Sequence, residues 1–89
     1  ENHPNLAASY NNIGIVYKSL WKYDKALEFY EKALKIFVQI IDENHPNMVI
    51  IYNNIGEVYN GLEKYDKALE FYLKALKICI QVHDESHPN

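Results

Sequence analysis

The sequence has one cysteine, three prolines and three glycines among its 89 residues. A single cysteine cannot form a disulfide within the chain, and it favours a reducing, cytoplasmic compartment. The three glycines stand apart from one another, so there is no glycine-rich loop of the kind that cradles phosphates. Apolar residues come in short clusters broken by charges, so no membrane span is predicted. These absences argue against a nucleotide-binding enzyme and against a membrane protein.

Positive charge is also scarce. Nine basic residues stand against twelve acidic ones, which gives a net charge of −3. A surface that binds nucleic acid or an anionic membrane needs a basic stripe, so neither partner is expected. Hydrophobic residues make up 48% of the chain and charged residues 24%, which is typical of a folded globular domain.

The strongest feature of the sequence is an internal repeat of 42 residues. The tripeptide His-Pro-Asn occurs at residues 3–5, 45–47 and 87–89, and residues 22–30 recur unchanged at residues 64–72. About two-thirds of the aligned positions are identical, and such a period indicates a solenoid, a propeller or a similar array. Because the chain begins and ends in the same loop, we expect it to be a fragment of a longer array.

Each repeat is predicted to form two helices. Leu6, Tyr10 and Ile13 open a series of apolar residues at spacings of three and four, which predicts an amphipathic helix. A second helix follows, with acidic residues near its start as the helix dipole favours. The predicted helices span about 4–20 and 24–41 in repeat 1 (residues 1–42), and about 46–62 and 66–83 in repeat 2 (residues 43–89), which also includes the start of a third repeat's loop. No alternating strand pattern is present, so the predicted fold is all-α.

Small residues lie where the two helices of each repeat are expected to cross. Gly14 and Gly56 interrupt the first helix of each copy, although a glycine in mid-helix costs roughly 1 kcal/mol relative to alanine. Because this cost occurs twice, we expect a packing reason for it, with bulky residues such as Tyr17 and Tyr30 filling the space around Gly14.

The spacing of small and aromatic residues resembles the tetratricopeptide repeat. That family is defined by small and aromatic residues at fixed spacings. The matching residues here are Gly14, Tyr17, Tyr23, Ala26, Tyr30, Ala33 and Leu34, and in the second copy Gly56, Tyr59, Tyr65, Ala68, Tyr72, Ala75 and Leu76. The common repeat has 34 residues, and the long form of this chain is similar to the repeats of kinesin light chains. The resemblance covers the whole chain. It implies a right-handed α-solenoid of antiparallel helix pairs that binds proteins or peptides, without catalysis or a cofactor.

The resemblance also implies a concave groove lined by the first helix of each repeat. By position, the lining residues are Ala8, Asn11, Asn12, Ile15, Lys18, Ser19, Ile50, Asn53, Asn54, Glu57, Asn60 and Gly61. An asparagine amide both donates and accepts hydrogen bonds, so it suits an extended peptide backbone. The alternative is that these asparagines bond the next helix or meet water. Family members that grip a terminal carboxylate use several basic residues, whereas Lys18 is the one basic residue here and Glu57 would repel a carboxylate.

The ends of the chain suggest a second function, self-association. Three repeats are usually the minimum for a stable stack, and natural arrays carry polar caps. This chain has two repeats and no visible cap, so both end faces are expected to be apolar and complementary. A head-to-tail contact between them would build oligomers or filaments unless its rotation closes a ring. The residues expected in this contact are Leu6, Ala7, Ile78, Cys79, Ile80 and Val82.

No catalytic residue, metal ligand or cofactor site is predicted. Cys79 takes the place of Phe37 on an apolar face, so we expect a buried structural thiol and not a reactive one. His83 and His87 flank two acidic residues, but the helix end and Pro88 favour an exposed turn over a metal site. The histidines of the repeated loop would lie about one repeat apart, too far to share a metal.

Overall fold

The computed structural model describes residues 4–86, which form four helices in succession. They are α1 (Pro4–Ser19), α2 (Tyr23–Ile40), α3 (Met48–Gly61) and α4 (Tyr65–Ser86). Helix α1 packs on α2 and α3 packs on α4, so the chain forms two helix hairpins, and α2 packs on α3 to join them. No strand occurs between residues 4 and 86, and the fold is an all-α helical repeat solenoid. His3 and His87 lie outside the described residues.

Helix α3 is the most deeply buried element because it packs on α4 and α2 and also contacts α1. Its apolar residues therefore cover more than one face, and Met48, Ile51, Ile55 and Val58 are all at most 1% exposed. They form one core with Ala26, Tyr30, Ala33, Tyr52, Ala75 and Ile78. The two hairpins thus share a continuous hydrophobic core.

Within each hairpin, a tyrosine ring lies against a mid-helix glycine. A Cβ added at Gly14 would lie 2.5 Å from Cε1 of Tyr30, and one at Gly56 would lie 2.7 Å from Cε1 of Tyr72. Contacts this short are not tolerated, so only glycine allows the helices to pack with the ring between them. This close approach is the packing reason expected from the repeated glycines.

The turns inside both hairpins use the same hydrogen bonds. The N–H groups of Trp21 and Lys22 donate to the carbonyls of Lys18 and Tyr17, and the equivalent bonds recur 42 residues later. This is the Schellman arrangement, in which the residue after the helix adopts a left-handed conformation. That residue is usually glycine, but here it is Trp21 (φ 64°) in one turn and Glu63 (φ 63°) in the other.

Helix α3 begins at Met48, two residues later than the predicted start at about residue 46. His45 is the cause, because its Nδ1 accepts a hydrogen bond from the N–H of Asn47 (3.0 Å) and its carbonyl accepts one from the N–H of Met48 (2.8 Å). These bonds hold Pro46 in a tight turn before the helix. The other helices differ from their predicted bounds by one to three residues at an end.

Candidate functional site

The first helices of the two hairpins, α1 and α3, lie side by side and are joined by two polar contacts. Asn54 Nδ2 donates a hydrogen bond of 3.0 Å to Asn11 Oδ1, in a partly buried position. Lys18 Nζ and Glu57 Oε1 form an ion pair at 2.5 Å. Both contacts cross between the helices predicted to line the groove, so polar side chains connect α1 to α3.

The predicted asparagines fall into two groups. Asn11 and Asn54 bond to each other, which is the alternative to peptide binding that the sequence left open for these residues. Asn12 is exposed and Asn53 is half-buried, and neither side chain makes a hydrogen bond within residues 4–86. Asn60 is also exposed and makes no side-chain hydrogen bond there, so Asn12, Asn53 and Asn60 are the predicted amides that a ligand could bond without breaking an existing bond within residues 4–86.

The ion pair changes the electrostatics of the groove. Lys18 is the one basic residue of the predicted set, and its charge is already matched by Glu57. The two side chains are 29% and 48% exposed, so the pair is at the surface and accessible to salt. A charged ligand would have to compete with this pair for either residue.

A cavity of about 210 Å³ opens in the groove beside the asparagine pair. Its lining comprises Ala8, Asn11, Asn12, Phe37, Asn47, Ile50 and Ile51. Four of these residues were predicted for the groove. Phe37, Asn47 and Ile51 were not, because they come from α2, from the loop before α3 and from the buried side of α3. The remaining predicted residues lie outside this cavity; Ile15, Ser19, Glu57, Asn60 and Gly61 are exposed, and Lys18, Asn53 and Asn54 are half-buried.

A larger cavity, of about 430 Å³, lies at the turn between α1 and α2, where Trp21 is 78% exposed. A cavity of about 380 Å³ occupies the equivalent turn of the second hairpin, where Glu63 replaces the tryptophan. The larger cavity is lined by aromatic and apolar residues as well as charged ones, including Leu62 from the second hairpin, whereas the cavity at the second turn is lined mainly by charged residues. These two cavities lie at equivalent turns, whereas the smaller cavity lies between α1, α2 and α3 and includes four residues of the predicted groove.

Equivalent residues of the two repeats differ in burial where one residue of the pair lies at the junction between the hairpins and the other does not. Leu27 and Leu34 of α2 are half-buried against α3, whereas their equivalents on α4, Leu69 and Leu76, are 55% and 52% exposed. On the facing side, Val58 of α3 is fully buried, whereas its equivalent on α1, Val16, is 59% exposed. Residues that change in this way mark the footprint of the junction between hairpins.

Comparison with this footprint shows that some of the residues expected at the end faces do not lie there. Ala7 and Ile78 are buried within their own hairpins, so they are not available to a second chain. Ile80 is exposed, but its equivalent Val38 is also exposed although a hairpin follows it, so this position lies outside the junction.

Two expected end residues, Leu6 and Cys79, meet this criterion. Leu6 and Cys79 are exposed where the other copy has the covered Met48 and Phe37. Val82 is half-buried whereas its equivalent Ile40 is exposed, so this position does not belong to the footprint. The expectation that Cys79 is a buried thiol was wrong, since no hairpin within residues 4–86 covers that side of α4.

Tyr30 carries an unusual buried hydroxyl at the centre of the junction. Its side chain is fully buried, and the hydroxyl has no hydrogen-bond partner among residues 4–86. Burial, with a smaller contribution from the negative charge of Glu57, raises the pKa of Tyr30 to about 12. The pKa of Tyr72, its equivalent, is also raised by burial and by Glu57, while Lys18 lowers it.

No helix within residues 4–86 has the length and apolar character needed to cross a bilayer. In the same part of the chain, no three histidine, cysteine or acidic side chains lie together as metal ligands.

Comparison with known protein families identifies one repeat in each half of the chain. Models of the tetratricopeptide repeat match residues 6–47 and residues 49–79. No curated protein matches the chain in sequence.

Solved structures are similar in both fold and sequence. BtubC (BKLC) from P. vanneervenii is 32% identical with a TM-score of 0.76, over 85% of this chain and 30% of that protein. Two structures of MamA are 32% and 30% identical, with TM-scores of 0.70 and 0.72, over 88% and 93% of this chain. The chain spans less than half the length of each of these proteins.

Proposed function

Because the chain belongs to the tetratricopeptide repeat family, whose members generally serve as non-catalytic scaffolds for protein interactions, we propose that it binds an extended segment of a partner protein between α1 and α3. The observation that carries this proposal is the cavity beside Asn11 and Asn12. It combines an apolar floor with an exposed amide on its rim, which is the chemistry that a peptide requires.

The size and lining of the cavity define the ligand. Its volume of about 210 Å³ is below the roughly 300–1,000 Å³ typical of small-molecule sites, and it suits one aliphatic side chain. Phe37, Ile50 and Ile51 offer apolar contacts to such a side chain. The side chain of Asn12 is exposed and makes no hydrogen bond within residues 4–86, so its amide can bond the backbone of the same peptide.

The ion pair limits the charge of the ligand. Lys18 and Glu57 neutralise each other along the groove, so neither a free carboxylate nor an ammonium group is favoured there. A ligand that is uncharged at this point leaves the pair intact. We therefore expect an aliphatic anchor residue in a locally uncharged, extended segment.

The test is selection of binders from a library of random displayed peptides, followed by calorimetric titration of a selected synthetic peptide. Asn12→Ala should weaken binding about two- to ten-fold, because one hydrogen bond is worth about 0.5–1.5 kcal/mol. Ala8→Leu should block the cavity and abolish binding, and it should leave the fold intact because Ala8 is exposed. Gln39→Ala, at an exposed position of α2 outside the cavity, is the control. Equal binding by all four proteins would place the ligand elsewhere.

A second candidate function is head-to-tail self-association, and the copy-to-copy difference in burial favours it. The exposed face of α4, with Leu69 and Leu76, matches the face of α2 that α3 covers. The exposed face of α1, with Ile13 and Val16, matches the face of α3 that α2 covers. Each end thus carries one half of a junction that is already formed inside the chain, and two complementary halves favour association.

Sedimentation equilibrium over a wide range of protein concentration tests this second candidate. Association through the ends should give sizes that increase in steps of one chain. Val16→Asp should suppress it, whereas Val38→Asp, which introduces the same charge at an exposed position outside the footprint, should not. A constant mass of 10.5 kDa at every concentration would exclude self-association through these faces.

A further inference from the structure

The cavity of about 430 Å³ at the turn between α1 and α2, here called the turn cavity, shares no lining residue with the groove cavity. Tyr17, Trp21 and Tyr23 supply three aromatic side chains to its wall, and Leu62 adds an aliphatic one from the second hairpin. Its volume is within the roughly 300–1,000 Å³ typical of ligand sites. The turn cavity therefore lies at the internal junction and needs both hairpins.

Trp21 occupies a position that neighbouring hairpins leave open. It is 78% exposed although the second hairpin follows it. Glu63, the equivalent residue of the second repeat, is exposed although the first hairpin precedes it. Neither a preceding nor a following hairpin covers this position, so the exposure of Trp21 is a property of the turn itself.

The turn does not require a tryptophan. Glu63 makes the same turn with nearly the same φ, 63° against 64° at Trp21, so the backbone does not call for an aromatic residue. Burial does not call for one either, because most of the ring is in contact with solvent. Tryptophan is enriched at protein interfaces, and here its ring stands at the edge of a formed cavity. Both observations favour a role in binding.

The polar groups of the turn cavity are mostly hydrogen-bond donors. The indole N–H of Trp21 and the ammonium groups of Lys22 and Lys25 donate, whereas Asp24 supplies a carboxylate. The side chains of Trp21, Lys22 and Asp24 make no hydrogen bond or ion pair within residues 4–86, and Lys25 has a long contact of 3.9 Å with Glu28. Two ammonium groups against one carboxylate give the lining a formal charge of +1, in a chain of net charge −3. The cavity therefore favours a ligand that is rich in acceptors and carries a negative charge.

Two classes of ligand suit aromatic walls, and the charge of the turn cavity separates them. Cations bind over aromatic faces, but Lys22 and Lys25 would repel a cation here. Proline-rich segments also dock against aromatic side chains. Their prolines have no amide hydrogen, so their carbonyls need donors from the binding site, which the indole and the two ammonium groups provide. Their polyproline II conformation exists before binding, so little conformational entropy is lost.

We propose that the turn cavity binds a proline-rich segment of a partner protein, with a proline against Trp21 and Tyr23 and an acidic residue of the segment against Lys22. The two rings are inclined by 58° and their centroids are 6.2 Å apart, which gives an angled apolar wall for a proline ring. This site is separate from the groove, so the inference does not depend on the function proposed above.

The second repeat provides a comparison within the same chain. Its turn has the same Lys-Tyr-Asp-Lys segment, at residues 64–67, but Glu63 stands in place of Trp21. Glu63 brings the formal charge of that lining to zero, and its carboxylate would repel the acidic residue of the ligand. Specificity for the first turn therefore depends on position 21.

The fluorescence of Trp21 reports directly on the site, because it is the one tryptophan of the chain. The probe is a synthetic peptide of six prolines and a final glutamate, capped at both ends and titrated into the intact chain. We expect a saturable change in emission. Replacement of every proline in the peptide by alanine should weaken binding by about ten-fold or more, because an alanine peptide must be ordered on binding. Replacement of its glutamate by lysine should weaken binding about two- to ten-fold.

Calorimetric titration of variants identifies the protein groups. Trp21→Gly suits the left-handed backbone, so the fold should persist by circular dichroism while binding weakens about ten-fold or more. Lys22→Ala should weaken binding of the glutamate peptide about two- to five-fold, and it should not affect a peptide that ends in glutamine. Lys64→Ala, the same change at the second turn, is the matched control and should leave binding unchanged.

The outcomes decide each part of the inference. Equal binding by Trp21→Gly and the natural chain would place the ligand elsewhere, and the absence of binding by every peptide would also overturn the inference. Tighter binding of the lysine peptide than of the glutamate peptide would show that the assigned charge is wrong. Ala8→Leu, which blocks the groove, should leave binding to the turn cavity unchanged, so the two proposals can fail separately.

Discussion

The ring of Tyr23 lies directly on the backbone of Gly61, although the two residues belong to different hairpins. A Cβ at Gly61 would lie 2.5 Å from Cζ of the ring, closer than any stable contact. The equivalent positions in the other copy are Tyr65 and Ser19, so the two copies differ where the hairpins meet. One missing side chain therefore allows the two hairpins to approach closely at this point.

Gly61→Ser should weaken the junction between the hairpins. The new Cβ would force the half-buried Tyr23 ring outward, which we expect to lower the free energy of unfolding by about 1–2 kcal/mol in urea denaturation. Ser19→Gly is the reciprocal control, since no tyrosine covers Ser19 within the described chain. It should cost no more than about 1 kcal/mol, through helix propensity alone. An equal loss in both variants would contradict a role for the ring contact.

Alanine at the two mid-helix glycines should have unequal effects. Gly14 faces Tyr30, which is fully buried and has no space to move, whereas Gly56 faces the half-buried Tyr72. We expect Gly14→Ala to lower the free energy of unfolding by about 1–3 kcal/mol through overpacking. Gly56→Ala should cost less, because its tyrosine can shift and alanine favours the helix by about 1 kcal/mol. Thermal unfolding followed by circular dichroism distinguishes them, and the reverse order would show that Tyr72 is the less mobile ring.

Tyr30→Phe should stabilise the protein at neutral pH. The hydroxyl of Tyr30 is buried and has no partner among residues 4–86, and a buried unsatisfied group costs about 1–3 kcal/mol. Removal of the hydroxyl keeps the ring on Gly14, so we expect a gain of about 1 kcal/mol in chemical denaturation. Tyr72→Phe, at the half-buried equivalent, is the control and should change stability less. A loss of stability in Tyr30→Phe would show that the hydroxyl has a favourable partner in solution.

The same residue predicts a loss of stability in alkali. The pKa of Tyr30 is about 12 in the folded chain and about 10 in the unfolded chain, so the unfolded chain releases this proton first. The contribution of Tyr30 is therefore complete below pH 10 and decreases as pH rises from about 10 to about 12, by about 2–3 kcal/mol. Urea titrations across this range should show a shallower decline for Tyr30→Phe. Parallel declines in the two proteins would exclude Tyr30 as the cause.

Glu63→Gly should stabilise the turn of the second hairpin. Glu63 has a φ of 63°, and a left-handed conformation costs a non-glycine residue roughly 1–2 kcal/mol. Glycine removes this strain but loses more entropy on folding, so the net gain should be about 0.5–1 kcal/mol. Glu63→Ala keeps the strain and serves as the control. A gain from alanine as large as that from glycine would point to the charge of Glu63 and not to its backbone.

The sequence was sufficient for the architecture because the repeat and the helical periodicity are both local patterns. It missed the start of α3, since the turn that delays this helix depends on a hydrogen bond to the ring of His45. It also missed the pairing of Lys18 with Glu57. Neither residue is shared between the copies, so comparison of the repeats gives no indication that they meet.

The end faces show a second limit of sequence patterns. Periodicity identifies apolar positions on a helix, but it does not say which neighbour covers them. Ala7 and Ile78 face their own hairpin, whereas Leu69 and Leu76 face the position of the next one. Only the difference in burial between equivalent residues separates the two sets. The lining of the groove could not be fully predicted for the same reason, because Phe37 lines its cavity from α2 and not from a first helix.

The way in which the hairpins are joined has a mechanical consequence. Helices α2 and α3 are packed by the core, whereas α1 and α3 meet mainly at the Asn11–Asn54 hydrogen bond and the Lys18–Glu57 ion pair. Bending that spreads α1 from α3 breaks these two contacts, at about 1 kcal/mol each, and leaves the core closed. Bending in the opposite sense would separate α2 from α3 and expose Tyr30 and Ile55. We therefore expect the junction between the hairpins to bend more readily in the sense that separates α1 from α3 than in the opposite sense, and an array of such units to adjust its curvature in that direction.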